Sequence, residues 1–300
     1  MKPDSKTKVL SRLALLAAAL IWGGSFVVLK NALDGMPVFY IFSIRFLLGA
    51  AILAAVFFRR MKNINKKAIL GSIPIGVCLF LAYATQTYGL IGTTPGINAF
   101  LTDVYCVLTP FLYWIFAKRR PDRFNIISSV ICVVGIGLVS LDGSPTLNRG
   151  EILTLVCSVF FGLHLVFIDI FGRDCDPVVM TVLQFLVAGA LSTPCAIILE
   201  QPPVITASAL LQLGYLVVLA TCGALLLQNV GQKYTPASQS AVLLSLESVT
   251  GVLFSVLFYG ERPQAPTFIG FALIFIAITI SETKLEFLRK KRSAETKAKE

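Results

Sequence analysis

The sequence predicts an all-α integral membrane protein, with ten transmembrane helices arranged as two inverted five-helix repeats. Three observations carry this expectation. Of the 300 residues, 56% are hydrophobic and only 14% are charged, too few polar groups to coat a soluble domain. The apolar residues gather in ten runs of roughly 17–25 residues, each long enough to cross a bilayer as a helix. Short motifs of the first half return in the second at a nearly fixed offset, which marks an internal repeat.

The expected spans are 10–31, 37–58, 68–90, 95–117, 124–141, 150–171, 177–199, 207–230, 236–259 and 264–282. Span 1 has the basic flank of a secretory signal but is too long for one, and no cleavage site follows it. Thr94-Pro95 and Thr235-Pro236 read as the starts of spans 4 and 9, with Thr as cap and Pro at the first helical position. Pro74, Pro110 and Pro194 fall inside spans 3, 4 and 7 and are expected to kink them. The turn-rich stretch DGSPTLNRG, 142–150, joins the halves. The two repeats therefore occupy 10–143 and 150–283, and a basic tail, 284–300, lies at the membrane surface.

The net charge of +10 is a matter of topology. With the N-terminus in the cytoplasm, 22 Lys and Arg fall on cytoplasmic segments and only Arg149 and Arg262 on external ones. This is the asymmetry of the positive-inside rule, with both termini cytoplasmic, and it sets aside a nucleic-acid partner. The seven cysteines are scattered, with no CxxC pair, so they suggest neither a disulfide framework nor a metal site.

QTYGLIGTTPGINAFL from Gln86 matches QNVGQKYTPASQSAVL from Gln228 at an offset of 142, and the same offset carries Pro121 onto Pro263. RFLLGAA from Arg45 resembles QFLVAGA from Gln184, and WGGSFVVLK resembles FGLHLVFID, both at offset 139. Five spans per half is odd, so the second copy enters the membrane from the other side. Such inverted repeats rock about a midplane site and expose it alternately to each face. Lys30 and Asp169 hold matching positions at opposite mouths of that path, either as gating residues or as side chains that snorkel to water.

These residues also carry a family resemblance. Trp22, Gly23, Ser25, Phe26 and Lys30 in span 1, Arg45-Phe46 in span 2, and Gly260-Glu261-Arg262 after span 9 resemble the pattern of the drug/metabolite transporter superfamily, in its EamA branch. The resemblance runs from about residue 12 to 283. It implies ten helices, cytoplasmic termini, and export or exchange of small metabolites, amino acids among them. The chain departs from the pattern at Lys118-Arg119-Arg120, at Ser248 and at Asp103, where a small residue is common.

Polar residues at membrane depth are the site candidates, because an ionisable group there costs roughly 2.5–3.5 kcal/mol unless it meets a partner or a cavity. Arg45 and Asp103 lie at similar depth, so an ion pair between spans 2 and 4 is expected, or else a substrate or proton site. Glu247 sits mid-span, opposite Tyr105 in the repeat, and suits a proton-coupling role or a packed, hydrogen-bonded carboxyl. His164, the only histidine, is either a relay or a core residue. Tyr83, Gln86, Tyr88, Asn98, Tyr105, Gln184, Gln228 and Asn229 form a neutral polar set, read as a substrate lining or as interhelical hydrogen-bond glue.

The function expected is secondary active transport of small polar, amino-acid-like metabolites across the cytoplasmic membrane by alternating access, with the proton as candidate coupling ion and no cofactor. A membrane-embedded enzyme or a channel is the alternative. One histidine, scattered acids and no P-loop, HExxH or GxSxG pattern argue against the enzyme. Nothing resembles a ring-type filter.

Overall fold

The computed structural model describes residues 5–118, 120–140, 147–172, 174–203, 205–235 and 237–283. Most of the connector between the halves, the tail 284–300, Arg119 and Pro236 lie outside the described residues. Within them every regular element is helical. The long helices are α1 (Ser5–Ala32), α2 (Val38–Val56), α3 (Lys66–Ile91), α6 (Arg123–Ser140), α7 (Arg149–Phe171), α8 (Pro177–Leu199) and α13 (Ala265–Thr283). Three regions are interrupted: α4 (Pro95–Thr102) is followed by α5 (Tyr105–Ala117), α9 (Ala207–Tyr215) by α10 (Ala224–Tyr234), and α11 (Ala237–Leu244) by α12 (Leu246–Phe254).

Helix starts follow local chemistry. Asn65, Thr94 and Thr206 each accept a backbone N–H from the first turn of α3, α4 and α9. Asn148 and Glu151 form a reciprocal capping box at the start of α7. Asp176 and Thr94 precede Pro177 and Pro95 at the first helical position. Gly260 ends the span-9 region at φ 75°, a conformation that a side chain disfavours.

Among the described residues, seven helical stretches are long and apolar enough to cross a membrane. Arg123–Gly135, Leu246–Tyr259 and Ala265–Ile280 are shorter apolar helices. The outward surface is apolar too, with Val133, Ile198 and Leu211 each more than 60% exposed, which suits lipid rather than water.

Two of the expected spans carry interruptions. Spans 4 and 9 are not continuous helices: the first breaks at Asp103-Val104 and the second at Ser245. These breaks stand 142 residues apart, the offset already seen in the sequence. Span 8 carries a wider turn, Leu216–Gly223, in which the Thr221 hydroxyl donates back to the Leu216 carbonyl at 2.7 Å. Nothing in the hydropathy of these runs signals an interruption, because a broken helix and a straight one bury the same apolar residues.

The halves interlock rather than sit side by side. α3 packs on α7, and α1 packs correspondingly on α10 and its wide turn; α2 pairs with α8, and α6 with α13. Each contact maps onto another, or onto itself, when an element of one half is exchanged with its repeat counterpart in the other. Small residues permit the closest crossings. A Cβ on Gly150 of α7 would meet the Gly89 carbonyl oxygen of α3 at 2.8 Å.

Polar contacts close the two ends of the bundle. At one end Lys30 reaches the last turn of α3, Glu200 accepts from the amides of Phe39 and Tyr40, and Glu261 accepts from Thr94 and Gly96. At the other end Arg60 meets Asp176 at 3.3 Å, Lys67 meets Asp174 at 2.5 Å, and Lys233 donates to the Cys175 carbonyl at 3.2 Å.

Candidate functional site

Between the halves lies a cavity with about 550 Å³ of space not occupied by protein atoms, counting the part open to solvent. The structure brings seven of the expected residues to its wall: Arg45, Tyr83, Gln86, Tyr105, His164, Gln228 and Glu247. They come from α2, α3, α5, α7, α10 and α12, so the wall draws on both halves.

Tyr83 is the aromatic centre of this wall. Its ring meets Phe42, Phe46 and Phe161 edge-on at centroid distances of 5.9, 5.5 and 5.5 Å. The Arg45 guanidinium lies over the same ring, 4.9 Å from its centroid. Arg45 Nε donates to the Thr221 hydroxyl at 2.9 Å. The wide turn at 216–223 explains both this partner and a second anchor, since it also presents the Ala220 carbonyl to the Trp22 indole N–H at 2.9 Å.

The expected Arg45–Asp103 ion pair is not made. Arg45 faces α3 and the wide turn, whereas Asp103 faces the Ser248 hydroxyl and amide at the start of α12. Those groups stand outside hydrogen-bond geometry, so neither Asp103 oxygen completes a bond. Equal depth fixes one coordinate only; the rotation of each helix about its axis decided the partner. The helix on which α4 packs at this point, α12, carries Glu247, an acid rather than a base.

His164 and Gln184 are buried and share a hydrogen bond of 2.8 Å between α7 and α8, with His164 at the cavity wall and Gln184 behind it. Asn98 donates to Thr154 at 2.7 Å and to the Gln86 carbonyl at 3.2 Å, joining α4 to α7 and α3. Asn229 donates to Thr181 at 3.0 Å. It also borders a second, smaller pocket with Asp169, Gln232 and Lys233, at the Lys67 end. The Tyr113 hydroxyl donates to Asp169 there. Tyr88 lies near the Lys30 end, 38% exposed, its ring 5.7 Å from that of Phe39. Lys30 donates to the carbonyls of Leu90, Ile91 and Thr93 at 2.6, 3.2 and 3.0 Å.

Sequence reading passed over Thr221, Glu200 and Tyr113, and took Glu261 only as part of a motif. The partners that tie Thr221, Glu200 and Glu261 to other helices are 160 or more residues away, so no local pattern points to those contacts. The repeat does offer one signal: Asp103 falls on Ser245 at offset 142, which pairs the two helix breaks.

A helical bundle with an apolar exterior and a polar cavity shared by two interlocked halves defines a multi-pass membrane transporter as the class. The chain belongs to the EamA-like transporter family, whose model matches residues 10–141 and 148–283, one match for each half. It is 35% identical over 269 residues to an uncharacterized transporter of Archaeoglobus fulgidus, covering 89% of this chain and 84% of that one. It is 25% identical to the uncharacterized transporter YwfM of Bacillus subtilis, covering 89% and 92% of the two chains. One crystal structure shares the fold with a TM-score of 0.71 at 18% identity, over 92% of this chain and 98% of that chain.

Proposed function

We propose that the protein is a secondary active carrier that exports or exchanges a small polar, amino-acid-like metabolite across the cytoplasmic membrane by alternating access. The observation that carries this reading is the cavity wall. It sets a buried guanidinium, Arg45, and a buried carboxyl, Glu247, around an aromatic surface with the amides of Gln86 and Gln228. Such a wall complements a solute that bears both charges and an apolar or planar part. Tyr83, Gln86, Tyr105 and Gln228 are the proposed substrate contacts, while Asn98, Gln184 and Asn229 hold the helices around them.

In this reading the chain crosses the membrane ten times as two inverted repeats, with both termini in the cytoplasm. The basic residues Arg59, Arg60, Lys62, Lys66 and Lys67 then lie inside, and Lys30, Glu200 and Glu261 outside. Lys30 and Asp169 mark the two mouths. The test is uptake of radiolabelled amino acids and nucleobases into proteoliposomes, with and without an imposed pH gradient. Saturable uptake that Arg45→Gln abolishes is the expected result. Non-saturable, voltage-driven ion flux would instead indicate a channel.

A further inference from the structure

The two helix breaks hold equivalent places in the repeats, and each brings an acid into the interior. Asp103 sits at the first break, between α4 and α5. Glu247 is in the first turn after the second break, on α12. Asp103 has no exposed surface and Glu247 is 6% exposed. α4 packs directly on α12, so closely that a Cβ on Gly251 would meet the Ala99 Cβ at 2.7 Å, and Asp103 and Glu247 each lie about one helical turn from that crossing.

Among the described residues, the cation on this wall is Arg45, whose hydrogen bond goes to the neutral Thr221 hydroxyl and which ion-pairs with neither acid. α5 contributes Tyr105 and Cys106, α3 contributes Tyr83, α7 contributes Cys157, and α12 contributes the Ser248 hydroxyl. α1 brings Trp22 and Ser25 to the cavity. The two basic candidates on that wall are engaged elsewhere, Arg45 with Thr221 and His164 with Gln184. Among the described residues, neither acid lies within an ion-pair distance of Lys, Arg or His.

Both Asp103 oxygens and Gln228 Oε1 are buried without a hydrogen-bond partner. Gln228 lines the same cavity as Glu247. These three unmatched atoms are acceptors, and a proton held on a carboxyl would bring a donor to them. Two adjacent carboxyls in a medium of low dielectric repel strongly, and one proton between them removes the repulsion and supplies the donor.

We propose that Asp103 and Glu247 form a dyad that binds one shared proton, reached from solution through the cavity that Glu247 lines, and that this proton is the coupled ion. Its use in coupling rests on the carrier reading above, whereas its binding does not. α4 belongs to one repeat and α12 to the other, so rocking of the repeats changes the separation of the two carboxyls. Separation relieves the repulsion that the shared proton offsets and lets it go.

The test is infrared difference spectroscopy of the full chain in lipid nanodiscs, following the C=O stretch of protonated carboxyl groups from about pH 9 to about pH 4. Interacting sites lose their protons in two macroscopic steps. The wild type is expected to show a two-step component, of which Asp103→Asn and Glu247→Gln each leave a single step. Asp103→Glu keeps both carboxyls and both steps, which guards against misreading an unfolded Asn variant. If the wild-type component equals the sum of the two single variants, the acids titrate independently and the dyad is wrong. Loss of the protonated band on replacing choline chloride by sodium chloride at fixed pH would make the locus a sodium site and overturn the proposal. A failed flux assay with the two-step component intact would count against the carrier reading alone.

Discussion

Lys30 and Glu261 hold the same turn from its two sides. Lys30 donates to the carbonyls that end α3, at Leu90, Ile91 and Thr93, and Glu261 accepts from the Thr94 hydroxyl and the Gly96 amide that begin α4. A cation on a helix C-terminus and an anion on a helix N-terminus each complement the local dipole and its unpaired backbone groups. One residue ends α1 and the other follows span 9, so this turn ties both halves together at the Lys30 end. The Ser255 hydroxyl also donates to Glu261.

Removing either grip is expected to free the turn. Lys30→Met and Glu261→Gln should each speed amide hydrogen exchange across residues 90–98. The double variant should depart from additivity by about 0.5–3 kcal/mol, since both side chains hold one element. Unchanged exchange in both single variants would remove the clamp.

Gly96 leaves room for the carboxylate. A Cβ there would stand 2.6 Å from Glu261 Oε2. Gly96→Ala is expected to destabilise the protein by about 1–3 kcal/mol, as overpacking does. Glu261→Asp in the same chain should recover part of the loss, because the shorter side chain withdraws. Thermal unfolding in detergent measures both. No recovery would mean that the carboxylate is not what the methyl group meets.

Arg45 is coupled to Thr221 and not to Asp103. In a double-mutant cycle, Arg45→Gln with Thr221→Val should deviate from additivity by about 0.5–3 kcal/mol, whereas Arg45→Gln with Asp103→Asn should add within about 0.5 kcal/mol. The reverse pattern in unfolding stability would restore the ion pair.

The proposed orientation is tested by single cysteines at Gln201, beside the Lys30 end, and at Asn63, beside the Lys67 end, both exposed. In right-side-out vesicles an impermeant maleimide is expected to label the first and spare the second. Among the native cysteines outside the spans, Cys175 is 3% exposed, and burial pushes its thiol pKa up. It should therefore stay unlabelled near neutral pH. Labelling at Asn63 alone would invert the topology.

Much of the fold was legible because its signals are local or periodic. A run such as 177–199 is too apolar for water whatever it packs against, and α8 occupies that interval. Thr94 and Pro95 foretell the start of α4 through a hydrogen bond only three residues long. The polar set was legible as a set, since lipid offers no partner to Gln86 or Gln228. Which of its members face the cavity was not, because Asn98 and Gln86 are equally polar and differ only in what stands opposite them.

The sequence by itself determined the membrane class, the internal repeat and the family, because hydropathy and motif order are properties of the chain in linear order. Only the tertiary structure decided the partners of the buried charges. Arg45 and Asp103 share a depth, yet helix rotation turned one to Thr221 and Tyr83 and the other toward Ser248 of α12. It also decided that the runs of spans 4 and 9 break at equivalent points, with a buried acid at or just after each break. Rotation about a helix axis and a break in a helix are set by packing against segments far away in the chain, and in lipid the apolar face that would report rotation in a soluble helix is absent.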